Sequence, residues 1–124
     1  MSPRSEEFIS SARERLRGAR DSLTARHPDL AVSAAYYAML YAARAALSER
    51  DKYAKTHSGT WTLFSQTFVA SEEFDPALSA LARRAKESRE KGDYEAAPPT
   101  PDEAAELVDG AGEFLAAIEQ LLNG

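Results

Sequence analysis

The chain has 124 residues, a formal net charge of −5 and no cysteine. That length suits one domain, residues 1–124, with a core large enough to need no metal or disulfide staple. The lack of cysteine removes disulfide scaffolds, Cys-ligated zinc and thiol catalysis, and the acidic balance argues against a protein that coats nucleic acid over its whole surface.

Charge is unevenly placed. Between Arg4 and Arg26 stand six arginines against four acids, and between Asp102 and Gln120 six acids and no base. The molecule is either strongly sided or merely well solvated along its helix faces. The start, Met1-Ser2-Pro3-Arg4-Ser5-Glu6-Glu7, lacks the basic-then-apolar order of a signal peptide. The uncharged stretch Leu30 to Ala43, with three tyrosines, is too short for a bilayer and reads as a buried core helix. A cytoplasmic protein with no membrane contact is expected.

In chain order, the first helix is predicted from Pro3 to about Arg26. Ser2 is its cap, Pro3 suits its first position, and Phe8, Ile9, Ala12, Leu16, Ala19 and Leu23 form one apolar stripe. His27-Pro28-Asp29 breaks it. The second helix runs from about Pro28 to Arg50, with Arg44 as the one charge between Leu30 and Leu47 and alanines that permit close helix approach. Apolar residues on nearly every side make it the central helix. A short third helix is expected from about Ser58 to Val69, and a fourth from about Pro76 to Gly92, where glycine is the predicted stop. Tyr94 to Pro101 reads as a loop, and the fifth helix, capped by Thr100, runs from Pro101 to about Leu122. No strand pattern or repeat is present. The fold class is therefore all-α.

Three groups of residues are able to carry chemistry. Arg89, Asp93 and Tyr94 place a phosphate-gripping guanidinium, a carboxylate and a phenol at a helix end, although an Arg–Asp pair across one turn is the plainer account. Lys55-Thr56-His57-Ser58-Gly59 joins a base, an imidazole and hydroxyls just ahead of a helix, where Thr56 or Ser58 also serves as an ordinary cap. Tyr37, Tyr41 and Arg44 share one face of the second helix, and Arg44 there requires an acidic or polar partner. No glycine-rich phosphate loop, metal-ligand spacing or cofactor motif is present, and the lone Trp61 reads as core.

Ala34-Ala35-Tyr36-Tyr37-Ala38-Met39-Leu40-Tyr41-Ala42-Ala43-Arg44-Ala45 resembles the "AYYAMFHAARALL" segment of HEPN-domain proteins. Lys55 to Gly59 with Leu63-Phe64 and Phe68-Val69 resembles the "KTHSG…LF…FV" stretch of that family's small stand-alone branch, and Arg89 to Tyr94 its "REKGDY" stretch. The resemblance covers roughly Leu30 to Leu122. It implies an antiparallel four-helix bundle with one short extra helix, commonly a homodimer, encoded beside a minimal nucleotidyltransferase antitoxin. It also implies a toxin that binds RNA and cuts it without metal, using an arginine and a histidine four to six residues later. In some pairs the nucleotidyltransferase silences the toxin by modifying a tyrosine just after that histidine. This chain departs from the pattern: Asp93 and Tyr94 follow Arg89 with no histidine, and Tyr41 stands where the branch often has one. The resemblance carries over Arg89, Asp93 and Tyr94 as the site position. With His57 these are the expected catalytic residues, and Lys55, Ser58, Arg44, Tyr37 and Tyr41 are the expected nucleotide- or RNA-binding positions. The alternative is a non-catalytic module that docks a nucleotidyltransferase.

Overall fold

Proline opens four of the five helices, at Pro3, Pro28, Pro76 and Pro101, where its missing N–H costs nothing. A computed structural model describes all of residues 1–124. In it α1 spans Pro3–Thr24, α2 Pro28–Glu49, α3 His57–Phe64, α4 Pro76–Glu95 and α5 Pro101–Asn123, with a π-type turn at Ser65–Val69 continuing α3. Side-chain caps close the starts of four helices: Ser2 accepts from the Ser5 amide, Thr56 from Gly59, Asp75 from Ala77 and Thr100 from Glu103. Only α2, preceded by His27, starts without one.

α2 is the centre. It packs against α1, α3, α4 and α5, while α1 and α4 each also rest on α5. Ala31, Ala35, Ala38, Ala42, Ala43, Ala45 and Ala46 are all fully buried, as are Val32, Tyr36, Met39, Leu40 and Leu47. The large side chains contribute about 1.5–3 kcal/mol each by leaving water. The alanines let the neighbouring backbones come close. α2 is long and apolar enough to cross a membrane by length and composition, yet 67% of its most apolar window is buried inside the bundle. α5 supplies the opposite wall through Leu107, Val108, Ala111, Phe114, Leu115 and Ile118. At Gly110 a β-carbon would stand 2.9 Å from Leu81 Cδ1, so the missing side chain lets α4 lie close to α5.

Two details locate the chain ends of α1 and α2. Ser5 is buried, and its hydroxyl lies 3.2 Å from the Ala45 carbonyl and 2.7 Å from Glu49 Oε2. The Ser2 amide donates to the same carboxylate at 3.1 Å. The start of α1 is thus pinned to the end of α2, which fixes the two helices antiparallel.

The predicted stop at Gly92 is not where α4 ends. The helix continues to Glu95, and Ala96 takes the left-handed conformation that closes it, at φ 50°. Helical hydrogen bonding carries through a glycine at modest cost, and Pro98 and Pro99 lie far enough on to leave one more turn. Left-handed geometry costs an alanine about 1–2 kcal/mol. Ala96→Gly is therefore expected to stabilise the fold by up to about 1 kcal/mol and to raise Tm by a few degrees in a thermal melt; a lower Tm would show that the helix does not end at this residue.

Candidate functional site

The polar residues of α2 leave the core through one seam, and the site is built there. Tyr36 is buried, and Tyr37 packs edge-on against it with ring centres 5.4 Å apart. Trp61 of α3 donates its indole N–H to the Tyr36 hydroxyl at 3.2 Å. That bond satisfies the buried phenol, and burial pushes the phenol's pKa above the ordinary value.

His57, first residue of α3, rests against both tyrosines, 5.8 Å from the Tyr36 ring centre and 5.7 Å from that of Tyr37. Its backbone position is set by the neighbouring cap. Thr56 Oγ1 accepts from the Gly59 amide at 2.9 Å, and a β-carbon at Gly59 would stand only 2.7 Å from that oxygen. The Thr-His-Ser-Gly run is thus a cap that holds an imidazole in place. Thr56 does the capping, and Ser58 does not.

From the opposite side, α4 brings Arg89 over the same two rings, its guanidinium carbon 5.5 Å from the centre of Tyr36 and 5.1 Å from that of Tyr37. Arg15 of α1 lies over Tyr37 and Tyr41 at 5.3 and 5.5 Å. Neither arginine forms an ion pair. Arg44 completes the group. Its Nε is the one buried side-chain nitrogen or oxygen in the chain with no hydrogen-bond partner, and no carboxylate pairs with it. The expected acidic or polar partner of Arg44 is not found: no carboxylate pairs with it and its Nε stays open, while its charge is felt by His57. A buried donor left open costs about 1–3 kcal/mol, so the place suits an incoming anion.

These cations act on His57. Burial, then Arg44, Arg89 and Lys86, hold its pKa below the ordinary 6.5. At neutral pH the imidazole is uncharged and free to accept a proton.

The other expected residues are placed as follows. Asp93 and Arg89 line one cleft of about 350 Å³ beside Asp29, Ser33 and Pro98, but the two do not pair, since Arg89 turns onto the aromatic rings. Tyr94 does not line that cleft and is 88% exposed. Arg89, Asp93 and Tyr94 therefore do not form one constellation. Lys55 is exposed on the approach to α3, and Ser58 lines an adjoining hollow with Trp61, Arg83 and Lys86. The structure brings together Tyr37, Tyr41, Arg44, His57 and Arg89. Tyr36 and Arg15 join them without having been singled out from sequence. Arg15 lies two turns beyond Phe8 on one helix face, and that spacing is the signal for it.

A family model for the HEPN domain matches residues 5–121. The chain belongs to the HEPN family. This HEPN chain is 31% identical over 103 residues to the toxin candidate MJ0142 of Methanocaldococcus jannaschii, a match covering 83% of the chain and 70% of the relative. It is 34% identical over 94 residues to the UPF0332 protein glr0978 of Gloeobacter violaceus, covering 76% and 75%. A second toxin candidate of Methanocaldococcus jannaschii, MJ0605, is 29% identical over 93 residues, covering 75% and 69%. The three sequence segments that pointed to HEPN all fall inside the matched span, and they supply the α2 tyrosines, the α3 cap and Arg89.

The depressed His57 pKa fixes a sign for this HEPN domain. Because the folded value lies below the unfolded one, protonation favours the unfolded chain. The site's stability is complete above about pH 6.5 and is lost as pH falls from there through the folded pKa. Following the imidazole C–H resonances by NMR is expected to show His57 titrating below 6.5, and adding inorganic phosphate is expected to raise its midpoint. A His57 midpoint at or above 6.5, unmoved by phosphate, would contradict the arrangement.

Proposed function

We propose that this chain is a HEPN toxin-like protein that binds RNA at the α2 seam and cuts it with its own side chains. The observation that carries the reading is the convergence of His57 and Arg89 on the same two tyrosine rings beside the unpartnered Nε of Arg44. Arg44 and Arg89 hold the non-bridging oxygens of a phosphodiester. Neutral His57 takes the proton of the neighbouring 2′-hydroxyl. The 2′-oxygen attacks phosphorus and the bond to the 5′-oxygen breaks. A 2′,3′-cyclic phosphate remains on one product, and the departing 5′-oxygen takes a proton from water. Asp93, on the cleft wall, accepts a hydrogen bond from a ribose hydroxyl. His57 thereby fills the role for which the resemblance supplies a histidine after Arg89. Lys55 and Ser58 lie at the margin and support the anion's approach.

The toxin names carried by two relatives favour a place in a toxin–antitoxin pair. The reading extends to a cytoplasmic homodimer whose partner is a minimal nucleotidyltransferase, as the sequence resemblance implies. In that pair the open phenol of Tyr94 is the group accessible for nucleotide transfer.

Incubating the purified protein with RNA in the presence of a chelator tests the chemistry. Arg89→Ala and His57→Ala are each expected to slow cleavage by about a hundredfold or more. The rate of the wild type is expected to rise with pH as His57 loses its proton and to level off by neutrality. Wild type and Arg89→Ala equally inert would end the catalytic reading. RNA bound but uncut by the wild type, together with co-elution of a co-expressed nucleotidyltransferase, would leave a non-catalytic docking module in its place.

A further inference from the structure

α1 carries a second feature that shares Arg15 with the site and runs on beyond it. Arg4, Phe8 and Arg15 fall within about 40° of one another on the helical wheel, so one line of α1 presents cation, ring, cation. Side chains from elsewhere fill the gaps. Arg4 lies over Phe8 at 5.8 Å and over Tyr53 at 5.0 Å. Phe8 stacks on Tyr41 at 6.3 Å, and Tyr41 lies 6.4 Å from Tyr37. Arg15 bridges Tyr37 and Tyr41, and Arg89 closes the row at the cleavage site. Guanidinia and rings thus form one continuous row from Tyr53 to Arg89, with the Phe8–Tyr41 stack as a ring-on-ring step within it. In a chain of net charge −5, none of these arginines forms an ion pair, although Arg13, Arg17, Arg50 and Arg84 all do.

From this juxtaposition we infer that the ridge of Arg4, Phe8, Arg15 and Tyr41 is a binding track for single-stranded RNA, delivering several nucleotides to the Arg89 end; the inference rests on the proposed RNA-directed function. A guanidinium held over a ring keeps N–H groups available for phosphate oxygens and is positioned before the ligand arrives. Alternating cations and rings are what a flexible single strand needs, with phosphates on the cations and bases on exposed ring faces, and Tyr53 keeps 54% of its surface open for that use. Arg4 and Arg15 are eleven residues apart on α1, roughly 16 Å. At about 3.4 Å per stacked nucleotide that length accommodates roughly three to five. The ridge is also narrow. Glu7 and Glu14 border it along one side of α1, Glu14 in an ion pair with Arg17, and the second strand of a duplex would bring its phosphates against the open Glu7.

Fluorescence anisotropy with labelled single-stranded RNA tests the track without depending on cleavage. Wild-type affinity is expected to rise at least tenfold as the probe lengthens from about three to about ten nucleotides. The double variant Arg4→Ala/Arg15→Ala is expected to lose that gain and to shallow the logarithmic salt dependence by about 1.4, for two phosphate contacts at about 0.7 each. Both residues are exposed, and a thermal melt confirms folding. The control pair Arg17→Ala/Arg84→Ala, removing ion-paired arginines, is expected to keep the length dependence. Equal losses in the two double variants, or a wild type that binds long and short probes alike, would overturn the track while leaving cleavage, read in the same samples, to stand by itself. A double variant that keeps its RNA affinity but no longer retains a co-expressed nucleotidyltransferase would assign the ridge to protein docking and also overturn it. A wild type that neither binds nor cuts any probe would remove the track and the proposed function together.

Discussion

The constraint on which the structure rests is that α2 is enclosed on nearly every side. Seven of its alanines have no exposed surface, and its larger apolar residues fill the space between α1, α4 and α5. A helix so enclosed has few places to put polar atoms. Tyr37, Tyr41 and Arg44, at steps of four and three, have to emerge together along one line. The same line is where α1, α3 and α4 meet α2, so Arg15, His57 and Arg89 arrive at it from three different elements. The polar seam follows from the apolar packing.

Electrostatics then distinguishes the seam from the rest of the surface. Several cations elsewhere pair with carboxylates: Arg13 with Glu119 at 2.9 Å, Arg50 with Glu73 at 2.6 Å and Arg84 with Glu106 at 2.8 Å. These exposed pairs contribute little stability, in the range of about 0–1 kcal/mol, but they neutralise charge. At the seam the acids are replaced by aromatic faces, which orient a guanidinium without cancelling it. Cation–π contacts of about 0.5–1 kcal/mol do not fully offset the open Nε of Arg44. This uncompensated group, in the electrostatic reach of His57, is what the phosphate of the proposed substrate would complete.

Much of the fold was legible in the residues. Prolines at helix starts, capping Ser2 and Thr100, and the stripes of α1 and α5 locate the long helices to within a few residues. The end of α4 was not, because a glycine signals a stop only when the backbone needs it, and here Ala96 takes the left-handed position instead. The site was partly legible. Short-range spacing identified Tyr37, Tyr41 and Arg44 as one face and marked His57 beside a cap. It could not show that Arg89, thirty-two residues beyond His57, turns onto the same rings and away from Asp93, since that depends on how α4 crosses α2. Nor could it show that Arg44 lacks a partner, because that follows from what the neighbouring helices fail to bring.

The π-type turn at Ser65–Val69 has its own consequence. The Ala70 amide reaches back five residues to the Ser65 carbonyl, and Phe64, Phe68 and Phe74 gather with Phe114 at centre distances of 4.9 to 5.8 Å. Such a turn amounts to one surplus residue within a helical path. Losing that residue would rotate everything before it by about 100° relative to everything after it. His57 would then swing off the tyrosines or the phenylalanines would come out of register. Descendants of this chain are accordingly freer to vary in loop length around residues 97–99 than to lose a single codon between Ser65 and Phe74.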